Sequence, residues 1–239
     1  MCLVSWAWIT PWLNGQSMQM DVSGNRYIWN GSEVIKKEKA TRLEFRNNFL
    51  SSGNIKQLDL NQPLRPVLFF EDTQQLIFAD NTLSPMSILE LSPLNLGWIV
   101  QICTSKWGGI WVWDNSQKTL YKIDKNGAII LSTPNFSNSA YLSDWEVKWM
   151  AEDGNHLFIR DNAHLLVLDI LGGIEQCIAV SAFNPTWLVN GEIWESNGQN
   201  LQCLYPSMNR SIPFNLHPVY LHRSGIYSGT NFETWTPWP

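Results

Sequence analysis

Carboxylates recur near the ends of short apolar runs: Glu71, Asp72, Asp80, Asp114, Asp124, Asp161, Asp169 and Glu195. Two of them converging on one point could serve as general acid and general base in glycoside cleavage. Several together with Asn could hold a calcium ion. The same residue types have a plainer use, because an Asp or Asn that ends a strand accepts hydrogen bonds from the backbone of the following turn. That use accounts for every one of them, and their regular spacing is what a repeating structure produces. Histidine chemistry is sparse. His156 and His164 flank turns, while His217 and His222 stand five residues apart without the Glu that a helical zinc-hydrolase motif needs. Cys2, Cys103, Cys177 and Cys203 are too widely spaced for a zinc knuckle. Cys103 and Cys177 lie in apolar runs and read as small buried hydrophobes, with one disulfide among Cys103, Cys177 and Cys203 left open. No Gly-rich phosphate loop and no G-x-S-x-G elbow occurs. The sequence therefore assigns no catalytic, metal-binding or cofactor-binding residue.

Tryptophan is the most unusual component, with 14 in the chain. Trp29, Trp111, Trp113 and Trp194 sit at the centres of apolar runs, where packing between sheets is the default use. Trp107 precedes Gly108-Gly109, and Trp235 and Trp238 lie in "TWTPWP", whose prolines cannot continue a central strand. An exposed indole can stack on a sugar ring or anchor a protein surface. Trp107, Trp235 and Trp238 are therefore the candidate binding aromatics.

The elements that must carry these residues are strands. No segment shows a sustained 3.6-residue period with caps; short apolar runs punctuated by Gly, Asn, Asp and Pro fill the chain instead. "GGIWVWDNSQKTLYKIDKNGAIIL" contains three such runs, and Asn126-Gly127 suits a two-residue hairpin turn with positive φ. The unit recurs in "HLFIRD" and "HLLVLDI", in "PVLFFED" and "QLIFAD", and again downstream. Its second strand carries the markers Trp29, Phe70, Trp113, Arg160, Trp194 and Tyr227, spaced about 33 to 47 residues apart. Four-stranded repeats of this size predict an all-β fold, a β-propeller of four-stranded antiparallel blades. Six blades are expected, with five as the alternative. "IWVW", "VLFF" and "LLVLDI" are continuously apolar, as strands covered on both faces require. A β-sandwich is the runner-up.

Composition bounds the partners. Apolar residues make up 44% of the 239 and charged residues only 15%, with a net charge of -5. That leaves no basic face to gain from counterion release, which argues against nucleic acid as a partner. Residues 1–16 open with an apolar stretch, Cys2 to Ile9, broken at Thr10-Pro11. This matches the apolar and cleavage regions of a secretory signal peptide, lacks the basic start, and is too short to span a bilayer. The expected organisation is a signal peptide or apolar segment over residues 1–16 and a β-propeller domain over residues 17–239.

The runs "DVSGNRYIWNGSEVIKK" and "IKQLDLNQPLRPVLFFEDTQQLIFADNTLSP" resemble a group of uncharacterised, exported bacterial β-propeller proteins. The likeness is best over residues 19–90 and fades beyond about residue 180. It implies export to the periplasm or outer membrane and assigns no catalytic residues; without a functional signal the chain would be cytoplasmic. The likeness to WD-repeat proteins is weaker, since Trp113-Asp114 has no Gly-His pair feeding it. Residues and resemblance together point to a non-catalytic binding or scaffolding protein of the cell envelope, presenting rim loops to a protein or glycan and needing no cofactor. A propeller hydrolase, whether a metal-assisted lactone or ester hydrolase or a glycosidase, and a glycan-binding lectin are the alternatives.

Overall fold

A computed structural model describes residues 17–133, 136, 145–180, 184–197, 200–206, 210–213, 219–222, 225–228 and 234–236. The signal-peptide expectation for residues 1–16 lies outside them. The fold is all-β, and each sheet takes its strands in sequence order. The first blade is β1 (Ser17–Met20), β2 (Arg26–Asn30), β3 (Glu33–Lys37) and β4 (Glu44–Asn48). The second is β5 (Gln57–Asp59), β6 (Val67–Phe70), β7 (Gln75–Ala79) and β8 (Pro85–Glu90). The third is β9 (Ile99–Thr104), β10 (Ile110–Asp114), β11 (Thr119–Ile123) and β12 (Ile129–Ser132). The fourth is β13 (Trp149–Glu152), β14 (His156–Arg160), β15 (His164–Asp169) and β16 (Ile174–Ala179). The fifth is β17 (Thr186–Val189), β18 (Glu192–Ser196), β19 (Asn200–Tyr205) and β20 (Ser211–Pro213).

The expectation of six four-stranded blades is corrected to five. The residues expected to build a sixth form a three-stranded sheet, β21 (Val219–His222), β22 (Gly225–Ser228) and β23 (Thr234–Thr236). This last repeat is short: its marker Tyr227 follows Trp194 by only 33 residues, and its described residues supply three strands. All six marker residues nonetheless fall on the second strand of their sheet.

Burial follows strand position. β6 and β10 are buried throughout and β15 along its centre, because sheets cover them on both faces. The fourth strands β8, β12 and β16 are largely exposed. Cys177 lies on β16 and is exposed, whereas Cys103 and Cys203 are buried, and none of the three is in a disulfide. The expectation of a buried Cys177 is thus corrected, and no disulfide joins the three.

Two compact units divide the chain, residues 1–29, 35–44 and 184–239 in one and residues 30–34 and 45–183 in the other. The first has a core of Met18, Met20, Trp187, Trp194, Leu201 and Leu221 among others. The second has two. One packs Val67, Phe69 and Leu76 against Ile102, Ile110 and Val112, joining the second and third blades. The other packs Trp111, Trp113 and Leu120 against Trp145, Leu157 and Leu166, joining the third and fourth.

Candidate functional site

β9 ends on Thr104, and five residues, Ser105-Lys106-Trp107-Gly108-Gly109, return the chain to β10. Ser105 N–H donates to the Gly109 carbonyl at 3.0 Å, and Gly108 N–H donates to the Ser105 carbonyl at 3.1 Å. Gly108 and Gly109 hold φ at +86° and +82°, the left-handed region that glycine enters without steric cost. The "WGG" of the sequence is the tip of this tight connection.

Acids from both flanking blades clamp the loop. Asp59, the last residue of β5, accepts the Thr104 N–H, the Thr104 hydroxyl at 2.8 Å and the Asn61 N–H at 2.8 Å. Glu152, the last residue of β13, accepts the Ser105 hydroxyl at 3.1 Å, the Lys106 N–H at 2.8 Å and the Trp111 indole N–H at 2.7 Å. Lys122 donates from Nζ to Ser105 Oγ at 2.8 Å and lies 4.9 Å from the centre of the Trp111 ring. Burial pushes the Asp59 carboxyl up to about 7 against the pull of its Thr104 and Asn61 donors, and the Glu152 charge adds to the rise. Burial likewise holds the Cys103 thiol well above its ordinary range.

The Ser105–Lys122 contact has the composition of a nucleophile and its base. Ser105 is only 1% exposed, however, and gives its hydroxyl hydrogen to Glu152. The pair fixes the loop rather than facing a substrate. Among the described residues no three His, Cys, Asp or Glu side chains group closely enough to hold a metal ion.

What the clamp presents is Trp107. Its side chain is 67% exposed, yet its indole N–H donates to the Gly154 carbonyl and its backbone N–H donates to Ser105 Oγ at 3.3 Å. The ring edge is tied down and a face is left open. Beside the loop, a cleft of about 600 Å³ opens between the second and third blades, bordered by Gly108, Gly109, Arg65, Met86 and Lys125. Trp235 lies on β23 opposite Tyr227 in the register, and Trp238 falls outside the described residues.

The other candidates are distributed rather than gathered. Asp80, Asp124 and Asp169 each accept two turn N–H groups on Oδ1, from Thr82 and Ser84, Asn126 and Ala128, and Leu171 and Gly173. Asp161 does the same for Ala163 and His164, and Asp114 takes Ser116, Gln117 and Gly97. Glu71 pairs with Lys56 at 2.6 Å and accepts the Trp98 indole N–H at 3.3 Å. His156 lies 3.3 Å from Glu175, and His164 stacks on Trp145. Asp59 and Glu152 were not among the acids singled out from the sequence. The available signal was an acid closing the first strand of a repeat, in "IKQLD" and again in "WMAE".

Sheets of this kind in this order define a β-propeller protein. Solved structures agree. Virginiamycin B lyase from Staphylococcus aureus, crystallised with quinupristin, superposes with a TM-score of 0.59 at 9% identity over 90% of this chain and 77% of its own. A Bacteroides caccae protein of unknown function gives 0.53 at 13% identity, over 82% of this chain and 73% of its own. The extracellular domain of a proposed one-component system from B. thetaiotaomicron gives 0.59 at 14% identity, over 89% of this chain and 32% of that one. At such identities the likeness is one of fold. No protein-family model matches the chain, and no curated protein sequence matches it.

Proposed function

We propose that this protein is a non-catalytic binding module of the cell envelope, and that the Ser105–Gly109 loop is its working surface for a protein or glycan partner. The observation that carries this reading is an indole that is exposed and already immobilised. Ordering a mobile side chain at an interface costs about 0.5–1.5 kcal/mol, and a ring pinned beforehand avoids much of that cost. Aromatic anchors of this kind dominate interface energetics. The fold supports the reading, since propellers present loops at blade ends while the blades pack against one another. A lectin with one site per blade fits less well: among the tryptophans whose burial is described, the exposed ones, Trp98 and Trp107, both stand in the third blade. Export, expected from residues 1–16, belongs to this proposal.

The test is a pull-down from a bacterial envelope extract run beside a glycan array, with wild-type protein and Trp107→Ala. A partner or glycan retained by the wild type and weakened about tenfold by the substitution is the expected result. Equal retention by both proteins would remove Trp107 from the surface. Absence of any partner or glycan, together with a metal-stabilised melting transition, would overturn the binding module in favour of an enzyme.

A further inference from the structure

The cleft between the second and third blades has its own chemistry, independent of Trp107. Its floor is apolar and buried: Val67, Ala79 and Ile110 are at most 3% exposed. Phe78 and Met86 line it as well, and Met86, on the outermost strand β8, is 62% exposed. Its volume of about 600 Å³ lies within the range of pockets that enclose small organic molecules. Arg65, from the β5–β6 connection, and Lys125, from the β11–β12 turn, are the cations of its lining. Neither side chain has a hydrogen-bond or ion-pair partner among the described residues. Asp124 is the one carboxylate in that lining, and its Oδ1 is occupied by the turn N–H groups of Asn126 and Ala128. The charge balance of the lining is therefore one positive in excess.

Two exposed cations with no counter-ion among the described residues, beside a buried apolar floor, select a ligand with two parts. The apolar body gains by leaving water, and the head must be anionic to pair with Arg65 and Lys125, a carboxylate or sulfonate that offers two oxygens to the Arg65 fork. A neutral ligand of the same body would gain the first term alone, and a cationic one would be repelled. We propose that this cleft is a binding site for a small amphipathic organic anion, an oxyanion head on an aromatic or aliphatic body.

The probes are 8-anilinonaphthalene-1-sulfonate and N-phenyl-1-naphthylamine, which share a ring skeleton and differ by the sulfonate. Fluorescence titration of the wild-type chain is expected to show saturable binding of the sulfonate at one site per molecule. Arg65→Glu/Lys125→Glu should weaken that binding at least about tenfold while leaving the uncharged amine almost unchanged. Ser87→Trp, which adds bulk at the cleft wall without touching either cation, should weaken both probes. Arg65→Gln/Lys125→Gln gives the charge test again without reversing sign, should the acidic pair perturb folding. Trp107→Ala should leave the sulfonate affinity unchanged, so failure of the partner-binding reading is separable from failure of this one. Sulfonate affinity that is indifferent to the charge variants, or no saturable binding in the wild type, overturns the site.

Discussion

Trp111 and Trp113 are two residues apart on β10 and both are fully buried, yet their indole nitrogens have different fates. The Trp111 N–H donates to Glu152 at 2.7 Å, whereas the Trp113 N–H has no acceptor among the described residues. Trp113 works through its rings, against Phe136 at 5.5 Å and Trp145 at 6.2 Å between centroids. Trp111→Phe would leave Glu152 Oε2 short of a donor and take the indole from beneath the Lys122 ammonium. Trp113→Phe deletes a buried N–H that has no acceptor among the described residues. Both substitutions lose ring volume, so the difference between them isolates the polar contribution. Trp111→Phe is expected to cost about 1–3 kcal/mol more than Trp113→Phe, measured by guanidinium unfolding. Equal costs would mean that the Glu152 anchor contributes nothing to stability.

Between residue and blade, one turn is used repeatedly. In "DNTLS", "DKNGA" and "DILGG" the Asp heads a five-residue turn between the third and fourth strands of a blade, Asp169 also being the last residue of β15. In each, the fourth position has positive φ: +68° at Leu83, +86° at Gly127 and +82° at Gly172. A Cβ on Gly127 would stand 2.7 Å from Leu94 Cδ2, whereas one on Gly108 would meet nothing within 4 Å. Gly108→Ala should lose only the left-handed backbone preference, about 1–2 kcal/mol, and Gly127→Ala should lose more, because Leu94 must also move. Thermal or chemical unfolding of the two variants checks the order; a Gly127→Ala protein no less stable than Gly108→Ala would refute it. The strands themselves were legible because their burial is written locally: "VLFF" and "IWVW" are apolar on both faces because both faces are covered. The turn at Asn126-Gly127 was only half legible. Glycine takes the positive φ, but the Asp124 carboxylate gathers Asn126 and Ala128 into a wider link than the two-residue turn expected. Cys177 was misplaced because an apolar run does not say whether its strand lies inside a blade or at its rim. Asp59 and Glu152 escaped notice for a different reason. Their partners lie 45 and 46 residues away in neighbouring blades, beyond any local pattern.

At the scale of the molecule, those two acids tie the third blade to the second and the fourth, and the Asp59 tie is sensitive to pH. In the unfolded chain an Asp titrates near 3.9, while burial raises Asp59 to about 7 in the folded protein. Between those values the unfolded chain has released a proton that the folded chain keeps. Stability contributed by this group is therefore complete below the unfolded value, falls as pH rises from about 4 to about 7, and is flat above. The slope cannot exceed about 1.4 kcal/mol per pH unit for one proton. Asp59→Asn removes the titration. The amide cannot accept on both sides, so its NH2 would meet the Thr104 N–H donor to donor, which lowers stability at every pH by an offset that cancels in a comparison across pH. Guanidinium unfolding of both proteins at pH 5 and pH 8 separates the two effects. Wild type should gain on the order of 2 kcal/mol relative to Asp59→Asn on moving from pH 8 to pH 5. A relative gain of zero would show that Asp59 is ionised in the folded protein throughout this range. A relative loss would show that the Thr104 and Asn61 hydrogen bonds outweigh burial and hold the carboxylate charged between the second and third blades.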